Sequence, residues 1–123
     1  DIVEMLRAGD PVRIHPLNLA EVLDRMARLD GVDPDDVEAD IVLAGIVVAE
    51  PDTDALIEAG RLRSGHYHRT GCAVSLADCV AAAHAAETGT SLATSDQHLA
   101  AVVVAEGGTL APLPDTAGRR PGA

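Results

Sequence analysis

Gly71-Cys72-Ala73-Val74-Ser75-Leu76-Ala77-Asp78-Cys79-Val80-Ala81-Ala82-Ala83-His84-Ala85-Ala86-Glu87-Thr88-Gly89-Thr90-Ser91-Leu92-Ala93-Thr94-Ser95-Asp96-Gln97-His98-Leu99 is the stretch whose reading decides the fold. It reads as helix, turn, strand and the opening of a second helix. Ser75 is placed to cap a helix over residues 76–88, with Asp78 in the first turn, and Gly89 stands where a C-cap glycine belongs. Residues 90–95 read as a short buried strand, and Asp96 lies at its C-terminal end, opening the next helix. Two carboxylates 18 positions apart therefore fall at one edge of an α/β sheet, the edge at which open parallel sheets place ligands. Each also has a structural explanation. Ser75-x-x-Asp78 is close to a capping box, and Asp96 suits an ordinary N-cap.

Outward from this stretch, strands and helices alternate. Residues 1–8 read as a short amphipathic helix with Asp1 as N-cap and Ile2, Met5 and Leu6 inward, followed by a Gly9-Asp10-Pro11 turn. Residues 12–17 form a strand candidate interrupted late by Pro16. Asn18 then caps a helix over 19–29 whose first turn holds Glu21. Asp33-Pro34 is an N-cap followed by proline at the first helical position, and it opens a helix to about residue 44. Residues 46–49 have the β-branched character of a buried parallel strand. A helix follows from residue 51 or 52 to about 63, then the one basic stretch, residues 61–69. A helix over 97–106, a Gly107-Gly108 turn and a strand over 109–113 complete the pattern. This alternation specifies an α/β domain with a mainly parallel sheet, residues 1–113, followed by a flexible tail, 114–123.

Composition narrows the function classes. Of 123 residues 47% are apolar, yet there is no Trp or Phe and one Tyr, Tyr67, so the core is built from Ala, Val, Leu and Ile. Base stacking on aromatic side chains is thereby disfavoured. The formal charge of −11 and the absence of Lys leave no electrostatic footprint for nonspecific nucleic-acid binding. No 18-residue apolar run is present, which excludes a helical membrane span. Two cysteines, Cys72 and Cys79, are too few for a disulfide framework and fit a reducing, cytoplasmic setting.

Glu21 is the third acid of the set. Like Asp78 and Asp96, it is expected at the end of a strand or in the first turn of the helix that follows. A parallel sheet gathers such positions at its C-terminal edge. Clustered carboxylates call for a hard divalent cation, and Mg²⁺ or Mn²⁺ fits, because these ions bind through a few carboxylates and keep several waters. Helix N-termini beside such a pocket favour phosphate. Together the parts read as metal-assisted phosphodiester hydrolysis.

Asn18-Leu19-Ala20-Glu21-Val22-Leu23-Asp24, Ser75-Leu76-Ala77-Asp78-Cys79 and Leu92-Ala93-Thr94-Ser95-Asp96-Gln97-His98-Leu99 resemble the motifs of PIN-domain ribonucleases, and more narrowly those of the toxin subunit of VapBC-type toxin–antitoxin pairs. The likeness covers essentially the whole chain, down to Leu113-Pro114-Asp115. It implies a PIN-like α/β/α sandwich and a Mg²⁺- or Mn²⁺-dependent endoribonuclease acting on RNA. It also implies an antitoxin that inserts a segment across the site, and pairing of the toxin as a homodimer. Carried over residue by residue, Glu21, Asp78 and Asp96 are the acidic metal site and Thr94 is the hydroxyl residue that supports it. The family's first acid ends an opening strand, central in its sheet, upstream of the first residue here. The expectation is therefore a PIN-like domain whose central strand is missing from this sequence, Asp1 being explained as a helix cap.

Weaker signals accompany these. His66-x-His68-x-x-x-Cys72 matches no strong zinc spacing and is read as a loop. Arg61, Arg63 and Arg69 are candidates for contact with RNA phosphate or an acidic partner segment, or are simply solvated. His84 lies on a different helix face from Asp78 and is read as packed or exposed. Two further function classes compete with the nuclease: a non-catalytic PIN-like module kept for dimerisation or antitoxin docking, and a receiver-type phosphotransfer domain. The second needs a Lys near its acids, and this chain has none.

Overall fold

A computed structural model describes residues 2–122, so the capping role expected for Asp1 lies outside the described residues. In chain order the elements are α1 (Ile2–Arg7), β1 (Arg13–Ile14), α2 (Pro16–Asp30), α3 (Pro34–Leu43), β2 (Val47–Val48), α4 (Thr53–His66), α5 (Leu76–Thr88), β3 (Leu92–Thr94), α6 (Gln97–Ala105) and β4 (Leu110–Pro112). The α/β class and the parallel pairing of strands are as expected. The chain divides into two compact units, residues 1–51 and 52–123.

In the first unit β1 and β2 pair in parallel, Arg13 opposite Val47 and Ile14 opposite Val48. Val47 N donates to Val12 O and Ala49 N to Ile14 O, each at 2.9 Å. The next helix departs from the sequence expectation. It begins at Pro16, not Leu19, with His15 as N-cap: the His15 Nδ1 accepts from Leu17 N at 3.1 Å. Proline at the first helical position brings its φ preset and no amide to leave unsatisfied, which is why a residue read as a strand breaker starts a helix. Asn18 and Glu21 consequently lie further inside α2, and Glu21 is in the second turn, not the first. Gly31, at φ 67°, ends α2, and the amides of Gly31 and Val32 donate to Ala27 O and Met26 O. Asp33 caps α3 through Asp35 N at 2.9 Å, with Pro34 following, as its sequence indicates.

The second unit is organised around α5. Ser75 and Asp78 close its amide end in a complete capping box, and Gly89, at φ 65°, closes the other end. Ala77, Cys79, Val80, Ala82, Ala83 and Ala85 of this helix are buried. Helix α4 lies against α5 through Ala55 and Ala59, both fully excluded from solvent. Side chains this small let the helix axes approach closely, and Leu62, Val74, Leu99, Val102 and Val103 fill out the cluster. Strand β3 pairs in parallel with β4, Leu92 opposite Leu110 and Thr94 opposite Pro112. Leu92 N donates to Thr109 O at 2.9 Å and Leu113 N to Thr94 O at 2.8 Å, so the Ala93 peptide groups face the other edge of β3. Between α6 and β4 the chain turns at Gly107 (φ 74°). A Cβ on Gly108 would lie 3.1 Å from Val103 Cγ1 and 3.2 Å from Val103 O.

Two segments carry more structure than expected. Helix α4 continues past Arg63 to His66, because Arg63 Nε donates to Val74 O at 3.2 Å and Tyr67 N to Arg63 O at 2.9 Å, which hold the last turn. From Pro114 onward the chain makes a turn around Asp115. Its Oδ1 accepts from the amides of Ala117 and Arg119, its Oδ2 from Arg119 Nε, and Arg120 donates to Pro112 O at 3.0 Å.

One carboxyl pair links the α4 and α5 ends. Asp52 caps α4 through Asp54 N, and Glu87 stands in the last turn of α5. The hydrogen bond from Glu87 holds Asp52 below the usual carboxylate range, with the Asp54 amide adding to it. The same bond pushes Glu87 up to about 7, helped by desolvation and by the negative charges of Asp52, Asp54 and Glu58. A C-terminal helix end disfavours an anion, which is consistent with Glu87 being the partner that keeps the proton.

Two stability tests follow from this packing. Leu62→Ala should lower the unfolding free energy by roughly 2–5 kcal/mol in a denaturant titration, since Leu62 is 7% exposed within the cluster; a loss under 1 kcal/mol would contradict its place there. The second concerns pH. Glu87 has a raised folded pKa, so its contribution is complete below its ordinary value of 4.5 and is lost as pH rises to about 7. Asp52, shifted down, contributes above its ordinary value of 3.8. Melting temperature should therefore fall from pH 4.5 to 7.5, and Glu87→Gln, whose amide donates at every pH, should flatten that slope. Equal slopes in the two proteins would overturn the assignment.

Candidate functional site

The three sequence-marked acids occupy two different settings. Asp78 and Asp96 stand at the amide ends of consecutive helices in the second unit, whereas Glu21 is half-buried in the second turn of α2, in the first unit. Asp78 Oδ2 accepts from Ser75 N at 2.9 Å while Ser75 Oγ accepts from Asp78 N at 3.0 Å. Two of the four amides that a helix start leaves unsatisfied are thereby met. Its Oδ1 has no hydrogen-bond partner among the described residues.

Asp96 repeats the arrangement at α6. It is the N-cap, and its Oδ1 accepts from Leu99 N at 2.9 Å, leaving Oδ2 without a hydrogen-bond partner among the described residues. Thr94, at the end of β3 and buried, accepts the Asp96 amide on its Oγ1 at 3.0 Å. That bond fixes the backbone carrying the carboxylate. Thr94 thus acts on Asp96 through the main chain.

His98 ties these two helix starts together, and the sequence reading assigned it nothing. Its Nδ1 accepts from Ala73 N at 2.9 Å, and Cys72 Sγ donates to His98 O at 3.9 Å. The loop entering α5 is thus pinned to the first turn of α6. The acceptor role places the proton of neutral His98 on Nε2. A histidine two residues after the N-cap of α6 was the available signal; nothing local marks Ala73 as its partner. Beside Asp78, the Cys79 thiol is raised, first by burial and then by the Asp78 charge, which makes it an inert core group.

The basic stretch divides by environment. Arg61 is exposed and pairs with Glu58 at 3.1 Å. Arg63 is half-buried and engaged within the protein: besides its bond to Val74 O, its guanidinium lies 4.3 Å from the centroid of the Tyr67 ring. Arg69 is exposed in a turn bridged by His68 and Cys72. His68 Nδ1 accepts from the amides of Thr70 and Gly71, so this ring holds its own loop, whereas His66, read with that loop, ends α4. Among the described residues no three His, Cys, Asp or Glu side chains form a group that could hold a metal ion.

The donor chemistry nevertheless suits a hard cation. Asp78 and Asp96 each present one carboxylate oxygen not used by the backbone, and Mg²⁺ is held through one or two carboxylates plus water and substrate phosphate. The nearby helix amides favour a phosphate at the same end. The arrangement can therefore accept a divalent ion with its waters and an anionic oxygen beside it.

No helix among the described residues is long and apolar enough to cross a membrane. Comparison with curated proteins returned no match. The family model described as "PIN domain" matches residues 1–104. PIN domains are generally nucleases and generally use divalent metal ions. With that match extending over most of its length, the chain belongs to the PIN-domain family.

Proposed function

We propose that this protein is a metal-dependent endoribonuclease, the toxin of a toxin–antitoxin pair, in which Asp78 and Asp96 hold Mg²⁺ or Mn²⁺; Glu21 is assigned to the metal by the motif resemblance alone. The observation that carries the reading is the pair of carboxylates at the starts of α5 and α6, each with one oxygen fixed by a backbone amide and the other left over. Capping selects one rotamer, so the remaining oxygens are positioned before any ligand arrives. Thr94 keeps Asp96 in place. The α5 and α6 amide ends attract phosphate, and Arg61 and Arg69 are exposed cations for the rest of an RNA backbone, with Arg63 bracing their segment from within. When bound, the metal supplies activation of water and charge stabilisation at the phosphorus. Partnership with an antitoxin and pairing as a homodimer come from the motif resemblance to VapBC toxins, and cytoplasmic location from the two cysteines, too few for a disulfide framework.

The second reading, a non-catalytic PIN-like module for dimerisation or partner docking, draws on the same bonds, since helix capping alone accounts for both aspartates.

Asparagine substitution separates the two. Asn caps a helix about as well as Asp but carries no charge for a cation. Asp96→Asn and Asp78→Asn should shift the melting temperature little. Each should lower Mn²⁺-dependent RNA cleavage by at least about 100-fold, beyond the 10–100-fold typical of losing an outer-shell partner. A folded Asp96→Asn protein that cleaves RNA undiminished overturns the nuclease assignment of that residue. A parent chain that binds no Mn²⁺ in a titration favours the docking module.

A further inference from the structure

The second unit has a cavity of about 130 Å³ at the end opposite the aspartates, between the C-terminal halves of α5 and α6 and the beginnings of β3 and β4. Ala82, Ala86, Leu92 and Val103 line it, and Glu58 and Glu106 bring carboxylates to it. We propose that this cavity receives the lysine side chain of a partner protein's basic segment, its four methylenes against the alanines and its ammonium between the two glutamates.

Four observations support that occupant. An apolar cavity of roughly 150 Å³ is large enough to bind a six-carbon ring, so a four-carbon stem matches this volume. Both glutamates reach solvent, with side chains 43% and 49% exposed, so a charged head there stays hydrated while its stem is buried. Helix C-termini favour cations, and Glu106 is itself the C-cap of α6. Finally, the chain carries a net charge of −11 and no Lys of its own, so it draws in a basic partner.

Glu58 already holds the Arg61 cation at 3.1 Å, and Glu106 meets Nε2 of the His66 ring at 2.6 Å. Exposed pairs of this kind contribute little, so an incoming ammonium can displace them. Lysine's four-methylene stem, one longer than arginine's, fills more of the alanine-lined space.

The test is a two-dimensional amide NMR titration of the full 123-residue chain with acetyl-Ala-Lys-Ala-amide. A peptide with norleucine in place of lysine and n-butylammonium serve as comparisons. Saturable shifts are expected at Ala82, Ala86, Val103 and Gly108. Affinity should be about fivefold weaker for the norleucine peptide and for Glu106→Gln with the lysine peptide, the scale of an exposed ion pair. Ala86→Leu, at an exposed position able to take the larger side chain into the cavity, should abolish the shifts while the melting temperature holds. Equal affinity for norleucine, full binding by Ala86→Leu, or no saturable shift overturns the proposal. Butylammonium binding as tightly as the lysine peptide also overturns it, in favour of a small-amine site.

Discussion

Unsatisfied backbone amides at the starts of α5 and α6 are the constraint on which the rest of the second unit depends. A helix cannot begin inside a folded chain without partners for its first N–H groups. Here the partners are Ser75 with Asp78 on one helix and Asp96 on the other. Because the caps are carboxylates, the same solution that lets the helices start also delivers two fixed acids to one end of the unit. His98 and Ala73 then lock the two starts to each other. Structural and chemical roles are therefore not alternatives at these residues. Each carboxylate has two oxygens and the backbone uses one.

The second constraint is a core without Phe or Trp. Small side chains must recover burial by close approach, and α4 and α5 do so across Ala55, Ala59, Cys79 and Ala83. Where elements cannot close up, nothing large is available to fill the gap. The cavity between α5, α6 and the strand beginnings lies where alanines of α5 face Leu92 and Val103 across a space that Gly108 also borders. Turn geometry leaves no room for a side chain there, since a Cβ at Gly108 would stand 3.1 Å from Val103 Cγ1.

Most of the second unit was legible because its signals are local. Ser75, Gly89 and Asp96 mark the bounds of α5 and the start of α6, and each boundary stands where capping chemistry puts it. The start of α2 was misread because Pro16 has two local meanings, strand interruption or first helical residue, and the deciding partner was the ring of His15, an uncommon cap. The Glu21 position moved with it. The end of α4 lies beyond the bound near residue 63 read from the sequence, because the bond that sustains the helix reaches eleven residues ahead to Val74. His98 shows the same limit in the candidate site: its role rests on Ala73, 25 residues away. Capping is written in neighbouring residues, but ties between elements are not.

Helix polarity then divides the second unit by charge preference. The starts of α5 and α6 are positive ends, and at that end the chain places Asp78, Asp96 and the hydroxyls of Ser75 and Thr94. The C-terminal ends of α5 and α6 are negative, and there it places Glu87 and Glu106, while Glu58 belongs to the first half of α4. At the first end the charges offset the dipoles, which is why the aspartates are bound to amides and rigid. At the second end they add to the dipoles, and two contacts offset this: the hydrogen bond with Asp52 raises the Glu87 carboxyl, and Glu106 meets the His66 ring at 2.6 Å. An acid that opposes its helix end must find a proton or a cation. For that reason the end of the unit away from the aspartates is the end best suited to a positively charged visitor.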